Sequence, residues 1–224
     1  VVSDISNPFF ASLARLYEDE AAKLGYTVFF GSSDENADKM QQAIRNLIAR
    51  GVDGLIVVPC QDSETFISSL VPRGIPLVLL DRYFPHQEIN YVALDNFEAT
   101  RQATAYILGK GSKQPTIVAY DIDLIHMHER IRGYEQAMAD KGKSAQSNVI
   151  RIEPDISTAG MAYLLKESMD KGTDGFIFTT NLITLSGMYA LLELGCPTNG
   201  LRLVGFDGTP AFDFFNCPIT YIQQ

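Results

Sequence analysis

Cysteine is scarce. Cys60, Cys196 and Cys217 make an odd number with no Cys-x-x-Cys pair, which argues against a disulfide framework and a zinc site and is compatible with a reducing compartment. Long apolar runs are also missing. Hydrophobic residues form 46 % of the 224 positions but come in short stretches, none near the ~20 residues that span a bilayer. Positive charge is in deficit, with 18 basic residues against 27 acidic and a net charge of −9. Such a surface repels phosphate backbones, and no basic amphipathic segment suits an anionic membrane, so this stretch by itself is expected to bind neither. The opening Val1-Val2-Ser3 has no initiator Met, cationic segment or signal-like apolar run, and reads as a fragment that starts inside a strand.

Enzyme signatures are absent as well. There is no GxGxxG or GxxxxGK[ST] phosphate loop and no GxSxG elbow. Gly109-Lys110-Gly111 reads as a helix stop and turn. Binding without turnover and without a cofactor is the expectation. A glycosidase built on Asp81 and Asp207 ranks last, since nothing in the chain supports a raised pKa for either. His126-x-His128-Glu129 superficially resembles a metal cluster, but no third ligand motif accompanies it. It reads as a polar loop leading into a helix, with no metal.

What is present is alternation. Short β-branched or aromatic runs at Tyr26–Phe30, Gly54–Val58, Pro76–Leu80, Thr116–Tyr120, Asn148–Ile152, Gly175–Phe178 and Leu201–Phe206 are separated by helical patterns. That is the pattern of a parallel α/β sheet. The first helix has Asn7 at its N-cap and Pro8 at its first position, and carries the stripe Phe10, Leu13, Ala14, Tyr17, Ala21, Leu24 before Gly25. The second carries Ala37, Met40, Ile44, Leu47 and Ile48 and stops at Gly51.

Arg50-Gly-Val-Asp-Gly-Leu-Ile-Val-Val58 echoes Lys171-Gly-Thr-Asp-Gly-Phe-Ile-Phe-Thr179. Each copy is followed by one more helix and one more strand ending in a carboxylate, Asp81 after 28 positions from Asp53 and Asp207 after 33 from Asp174. Two similar doubly wound α/β lobes are the simplest account, with a crossover near Tyr91–Asn96, where Tyr91–Leu94 is extended and Phe97–Leu108 helical.

Ligands of open α/β sheets sit beyond the carboxyl ends of the strands. Asp81-Arg82, Asn181 and Asp207 occupy such ends, with Ser6-Asn7 before the first helix. Facing lobes would bring them to one cleft, a donor and acceptor set suited to hydroxyls. Phe10 also lies on the core stripe, whereas Phe9 is off it and harder to explain as packing. Either Asp, taken alone, could merely cap a turn; their matching position favours the cleft. An Arg from His128-Glu-Arg-Ile-Arg-Gly-Tyr134 would compensate the carboxylates, and spacing does not choose between Arg130 and Arg132.

These residues resemble the effector-binding core of LacI/GalR-family bacterial repressors and, behind it, the periplasmic sugar-binding proteins. The matching stretches are Val2–Phe10, Arg50–Val57, Gly74–Arg82, Val92-x-x-Asp-Asn96, Glu129-Arg-x-x-Gly-Tyr134, Leu203–Asp207 and Ile219–Gln224, in order over essentially the whole chain. The resemblance implies a periplasmic-binding-protein-like fold of type I, with an N-terminal lobe over 1–94, a C-terminal lobe over 95–221 and the start of a return crossover at 222–224. It implies ligand contacts at Asn7, Phe9, Phe10, Asp81, Arg82, Arg130, Asn181, Asp207 and Gln224, with Gln223 as the one-residue slip. It further implies a cytoplasmic homodimer that binds a small effector, a sugar before a purine or nucleoside, and couples it to operator DNA. The chain departs from the family in lacking the N-terminal helix-turn-helix, so that it would not bind an operator itself, and in ending where the return to the first lobe is expected. It also has Ile156 where sugar-binding members often carry an aromatic residue. The competing expectation is a periplasmic sugar-binding protein of a transporter, separable by whether a helix-turn-helix or a signal peptide precedes Val1.

Overall fold

The computed structural model describes residues 1–144, 148–196, 200–215 and 219–224; Cys217 lies outside these. The chain divides into two compact units, Val1–Ala93 and Leu94–Gln224.

In the first unit, α1 (Pro8–Lys23), α2 (Ala37–Ala49), β1 (Leu55–Val57), α3 (Glu64–Ser68), β2 (Leu77–Leu80) and β3 (Tyr91–Val92) follow one another. The strands pair in parallel in the order β1-β2-β3, with Leu55 beside Leu77 and Leu79 beside Tyr91. Successive side chains of a strand leave opposite faces, so each face collects its own helix. Leu55, Val57, Leu77 and Leu79 pack with Met40, Ile44 and Leu47 of α2. Val58 and Leu80 pack with Phe10 of α1 and with Val2. The sheet is therefore wound on both sides, as the near-continuous apolar strands require.

Val1–Ser3 lies along β1, the Val1 amino group donating to the Ile56 carbonyl at 2.7 Å and the Val58 amide to Val1 at 2.9 Å. The strand expected over Tyr26–Phe30 does not form. The Tyr26 amide turns back to the Ala21 carbonyl at 3.0 Å, closing α1, and Tyr26, Phe29 and Phe30 are exposed. The neighbouring segment Val1–Ser3 instead pairs with the next residues along: Val2 bonds to Gly31 and Ser33 at 2.9 Å each, and the Ser3 carbonyl accepts from the Asp34 amide at 2.6 Å.

In the second unit, α4 (Asn96–Gly109), β4 (Pro115–Tyr120), α5 (Ile125–Asp140), β5 (Val149–Ile152), α6 (Thr158–Asp170), β6 (Gly175–Phe178), α7 (Asn181–Glu193), β7 (Arg202–Phe206) and β8 (Thr220–Ile222) alternate. All five strands are parallel in the order β5-β4-β6-β7-β8. Ile117, Ile177 and Val204 face Ile107, Tyr134 and Met138 of α4 and α5. Val118, Phe176, Phe178 and Leu203 face the α6 and α7 side chains Leu165, Ile183 and Leu191. Tyr134 is fully buried and donates its hydroxyl to the Pro115 carbonyl at 2.8 Å; burial pushes its pKa up. Ile222 pairs with Phe206 within β8, so only Gln223 and Gln224 lie past that strand.

The sequence echo is a structural one. Gly51 and Gly172 both take positive φ, 76° and 102°, at the turn between a helix and β1 or β6. The two copies differ in one respect. Asp53 is exposed, whereas Asp174 accepts from the Ser112 hydroxyl at 2.5 Å, the Lys113 amide at 2.6 Å and the Gln114 amide at 3.0 Å. Burial opposes its ionisation, but these three donors prevail and hold its carboxyl below the ordinary value.

Candidate functional site

Asp81 is the residue after β2 and Asp207 the residue after β7. Both adopt the left-handed conformation, with φ of 66° and 54°, which Asp tolerates better than bulkier residues. Each donates its amide to the adjacent strand at 2.8 Å, Asp81 to Val92 and Asp207 to Ile222. The two strand ends are thus copies of one turn, and both side chains are buried, with 8 % and 6 % of their surface exposed.

In the first unit Arg82 is buried beside Asp81. Its Nη1 donates to Glu35 Oε2 at 2.7 Å and to the Pro59 carbonyl at 3.0 Å, and its Nη2 donates to Glu35 Oε1 at 2.7 Å. Its Nε lies 3.6 Å from Asp81 Oδ2, beyond hydrogen-bond reach, and has no hydrogen-bond partner among the described residues. Burial alone would lower the guanidinium pKa, but the bonds and charge of Glu35, helped by Asp81, raise it, so the group stays charged. Glu35 itself sits at φ 56°, directly after Asp34 at 50°.

Asn7 is the N-cap of α1, its Oδ1 accepting from the Phe9 amide at 3.0 Å. Phe10 is core, as its place on the stripe requires. Phe9, expected to resist a packing explanation, is partly buried against the same cluster and meets Phe10 edge-on at 5.0 Å. Packing therefore accounts for it after all, because the edge of a T-shaped aromatic pair is itself apolar contact.

In the second unit the two arginines differ in their surroundings. Arg130 has 2 % of its surface exposed. It donates from Nε to Asn96 Oδ1 at 2.7 Å and from Nη1 to the Thr179 carbonyl, and its guanidinium lies 4.0 Å from the centre of the Phe206 ring. Arg132 is exposed on the surface and pairs with Glu129. Asn181 begins α7, with 3 % exposed and its Oδ1 accepting from the Leu182 amide at 2.8 Å. Asp207 accepts from Gln224 Nε2 on both carboxylate oxygens at 3.0 Å, while Gln223 reaches only the Gln224 carbonyl, at 3.4 Å.

Sequence reasoning missed Glu35, Asn96, Thr179 and Phe206. Asn96 stood in a recognised stretch and Phe206 beside Asp207, so adjacency to a charged candidate was a usable signal. Glu35 is 47 positions from Arg82, and nothing local announces it. Among the described residues no group of His, Cys, Asp and Glu is placed to hold a metal ion; His126 is buried and His128 lies 3.2 Å from Asp123. No described helix is long and apolar enough to cross a membrane. A groove of about 500 Å³ in the second unit runs between α4 and β8, past Glu98, Gln102, Tyr106 and Thr220, and touches none of the expected residues.

The periplasmic binding protein domain family matches residues 1–212. Catabolite control protein A of Priestia megaterium is 28 % identical over 229 residues, covering 100 % of this chain and 68 % of that protein. The ribose operon repressor of Halalkalibacterium halodurans is 27 % identical, covering 100 % of this chain and 66 % of that protein. The chain thus spans about two thirds of the length of these relatives. A crystal structure of a putative ribose operon repressor from Burkholderia thailandensis superposes with a TM-score of 0.87 at 26 % identity, covering 100 % of this chain and 84 % of that one. With its parallel sheets, its twinned strand ends and these matches, the chain belongs to the periplasmic binding protein domain family, in the form that LacI-type transcription regulators carry.

Proposed function

We propose that this chain is the effector-binding and dimerisation part of a bacterial LacI-type transcription regulator. It takes a small polar ligand, a sugar before a purine, through Asp81 and Arg82 in the first unit and Arg130, Asn181, Asp207 and Gln224 in the second. The observation that carries this reading is the pair of buried strand-end aspartates in identical left-handed turns. Chain duplication alone explains the turns; it does not explain why both copies keep a carboxylate at the carboxyl end of a strand, where ligands of open α/β sheets bind. The hydroxyls of a polyol are donors that suit carboxylate acceptors. Two of the relatives are named for a ribose operon, which supports a sugar.

The ligand would shift the protein between states only by its differential affinity for them, typically by 1–3 kcal/mol. Operator binding would belong to a helix-turn-helix joined to this chain in a cytoplasmic homodimer. A thermal-shift screen of sugars, sugar phosphates and nucleobases tests the reading, since a ligand at 100 times its Kd adds about 2.7 kcal/mol. Titration calorimetry on D207A and R130A then follows. Effector affinity unchanged in both variants would remove the site assignment.

A further inference from the structure

Helix α7 is apolar on both sides. Its inner face, with Ile183, Met188, Ala190 and Leu191, is buried in the core of the second unit. It is seated closely on β6, since a Cβ added at Gly187 would stand 2.5 Å from the Phe178 ring. The outer face of such a helix is ordinarily polar. Here it is not. Leu182, Leu185, Tyr189 and Leu192 recur at intervals of three, four and three residues, the spacing of a coiled-coil seam. Leu182 is 41 % exposed, Tyr189 57 % and Leu192 53 %. The Tyr189 ring meets Phe215 edge-on at 5.6 Å, and Phe214 beside it in sequence is also exposed. Glu193 is the one charged residue among the 13 of α7, whereas α4, α5 and α6 each carry at least two.

We propose that the outer face of α7 is where a second copy of this chain docks, α7 against α7 and antiparallel, about a two-fold axis near Gly187. The four seam positions are symmetric about residue 187. An antiparallel pair therefore sets Leu182 opposite Leu192 of the partner subunit and Leu185 opposite the partner's Tyr189, apolar against apolar throughout. That self-complementarity is what an isologous contact requires. Charge selects the same occupant. Each copy carries −9, so two copies repel wherever acidic faces meet and associate best through a face without charge. A membrane surface fits less well, because α7 has no basic residue to meet anionic lipid. A charged peptide or a nucleic acid finds no counter-charge on the seam. The close seat of Gly187 on Phe178 holds the seam in place beforehand, so little ordering is left to be done on association. This deepens the dimerisation part of the proposed function and rests on it, while being independent of which effector binds.

The test uses the whole chain and needs no effector. Sedimentation velocity is run on wild type, Y189E and L192E, with Y163E as control, between about 0.1 and 100 µM, which brackets the weaker part of the affinity range of protein interfaces. Tyr163 lies on α6 and is 69 % exposed, so its variant adds the same charge to an exposed aromatic site off the seam. Far-UV circular dichroism confirms the fold of each. Wild type is expected to dimerise, Y189E and L192E to raise the dimer Kd at least about tenfold, and Y163E to leave it unchanged. L185K and Y189E, each monomeric alone, should form a dimer when mixed, because one Leu185–Tyr189 contact of the pair then becomes Lys against Glu and the other stays apolar. Y189E and L192E that dimerise like wild type overturn the α7 face while the dimerisation reading stands. A monomeric wild type overturns that reading itself and the inference with it. Equal weakening by Y163E, or no dimer in the L185K and Y189E mixture, also overturns the inference, since charge or another surface would then govern association.

Discussion

Replacing Arg130 by methionine, with Arg132→Met as control, separates a buried from a solvated guanidinium two residues away on the same helix. Methionine keeps the unbranched apolar stem of the side chain and removes the guanidinium with its donors. Asn96 Oδ1 and the Thr179 carbonyl each lose a charged donor, at about 1.5–3 kcal/mol apiece. The stacking on Phe206 at 4.0 Å adds up to about 2 kcal/mol in a desolvated setting. Against this, the cation's own desolvation, several kcal/mol, disappears with it. The net expected loss is about 3 kcal/mol, within the range for breaking a buried ionic network. At about 2–4 °C per kcal/mol for a chain of this size, Tm falls by about 6–12 °C. Arg132, with 63 % of its side chain exposed and paired only with Glu129, should cost no more than about 0.5 kcal/mol. Urea titration and calorimetry of both variants read the difference. An R130M loss within about 1 kcal/mol of that in R132M would show that the buried hydrogen bonds do not hold α5 against the sheet as argued.

Asp174→Asn should destabilise the chain by about 1–2 kcal/mol at neutral pH after discounting for partial exposure, and Asp53→Asn hardly at all. Because the folded-state pKa of Asp174 is lowered, its contribution is complete above the unfolded value of 3.8 and declines as pH falls below about 4. A gap between the two variants that persisted unchanged to pH about 2 in urea titrations would contradict the three-donor account. Gly133→Ala drives a methyl into the Phe97 carbonyl oxygen and to 3.0 Å from the Arg101 amide. Helices α4 and α5 must separate, and scanning calorimetry should record a loss of about 1–3 kcal/mol. Asp207→Asn retains a residue tolerant of φ 54° and Asp207→Val does not. The valine variant should be the less stable in urea by about 1–3 kcal/mol, and equal stability would mean that the turn relaxes.

The alternation of strands and helices was legible because both signals repeat: apolar runs buried on two faces, and a glycine after each helix. The strand at Tyr26–Phe30 was not, since its aromatic and β-branched composition says nothing about whether a neighbour lies within reach, and the backbone pairing with Val1–Ser3 falls on Gly31, Ser33 and Asp34. Strand-end logic located Asp81 and Asp207 without coordinates. It left Arg130 and Arg132 equivalent, because two positions two residues apart on a helix both follow a charged pattern and only packing against Phe206 and Asn96 tells them apart. Glu35 is invisible in sequence for a different reason: its significance is a contact with Arg82, and a long-range ion pair leaves no local periodicity.

The direction in which the Asp81 and Asp207 side chains leave the backbone is set by main chain. In each, the left-handed torsion and an amide hydrogen bond to the neighbouring strand fix the Cα–Cβ bond relative to the sheet. Under the proposed function, a guest bonded to those carboxylates would be tied through the backbone to the end of a strand and so to its sheet. An anchorage of that kind would suit a sensor, since moving the guest would act on the sheet through the strand end.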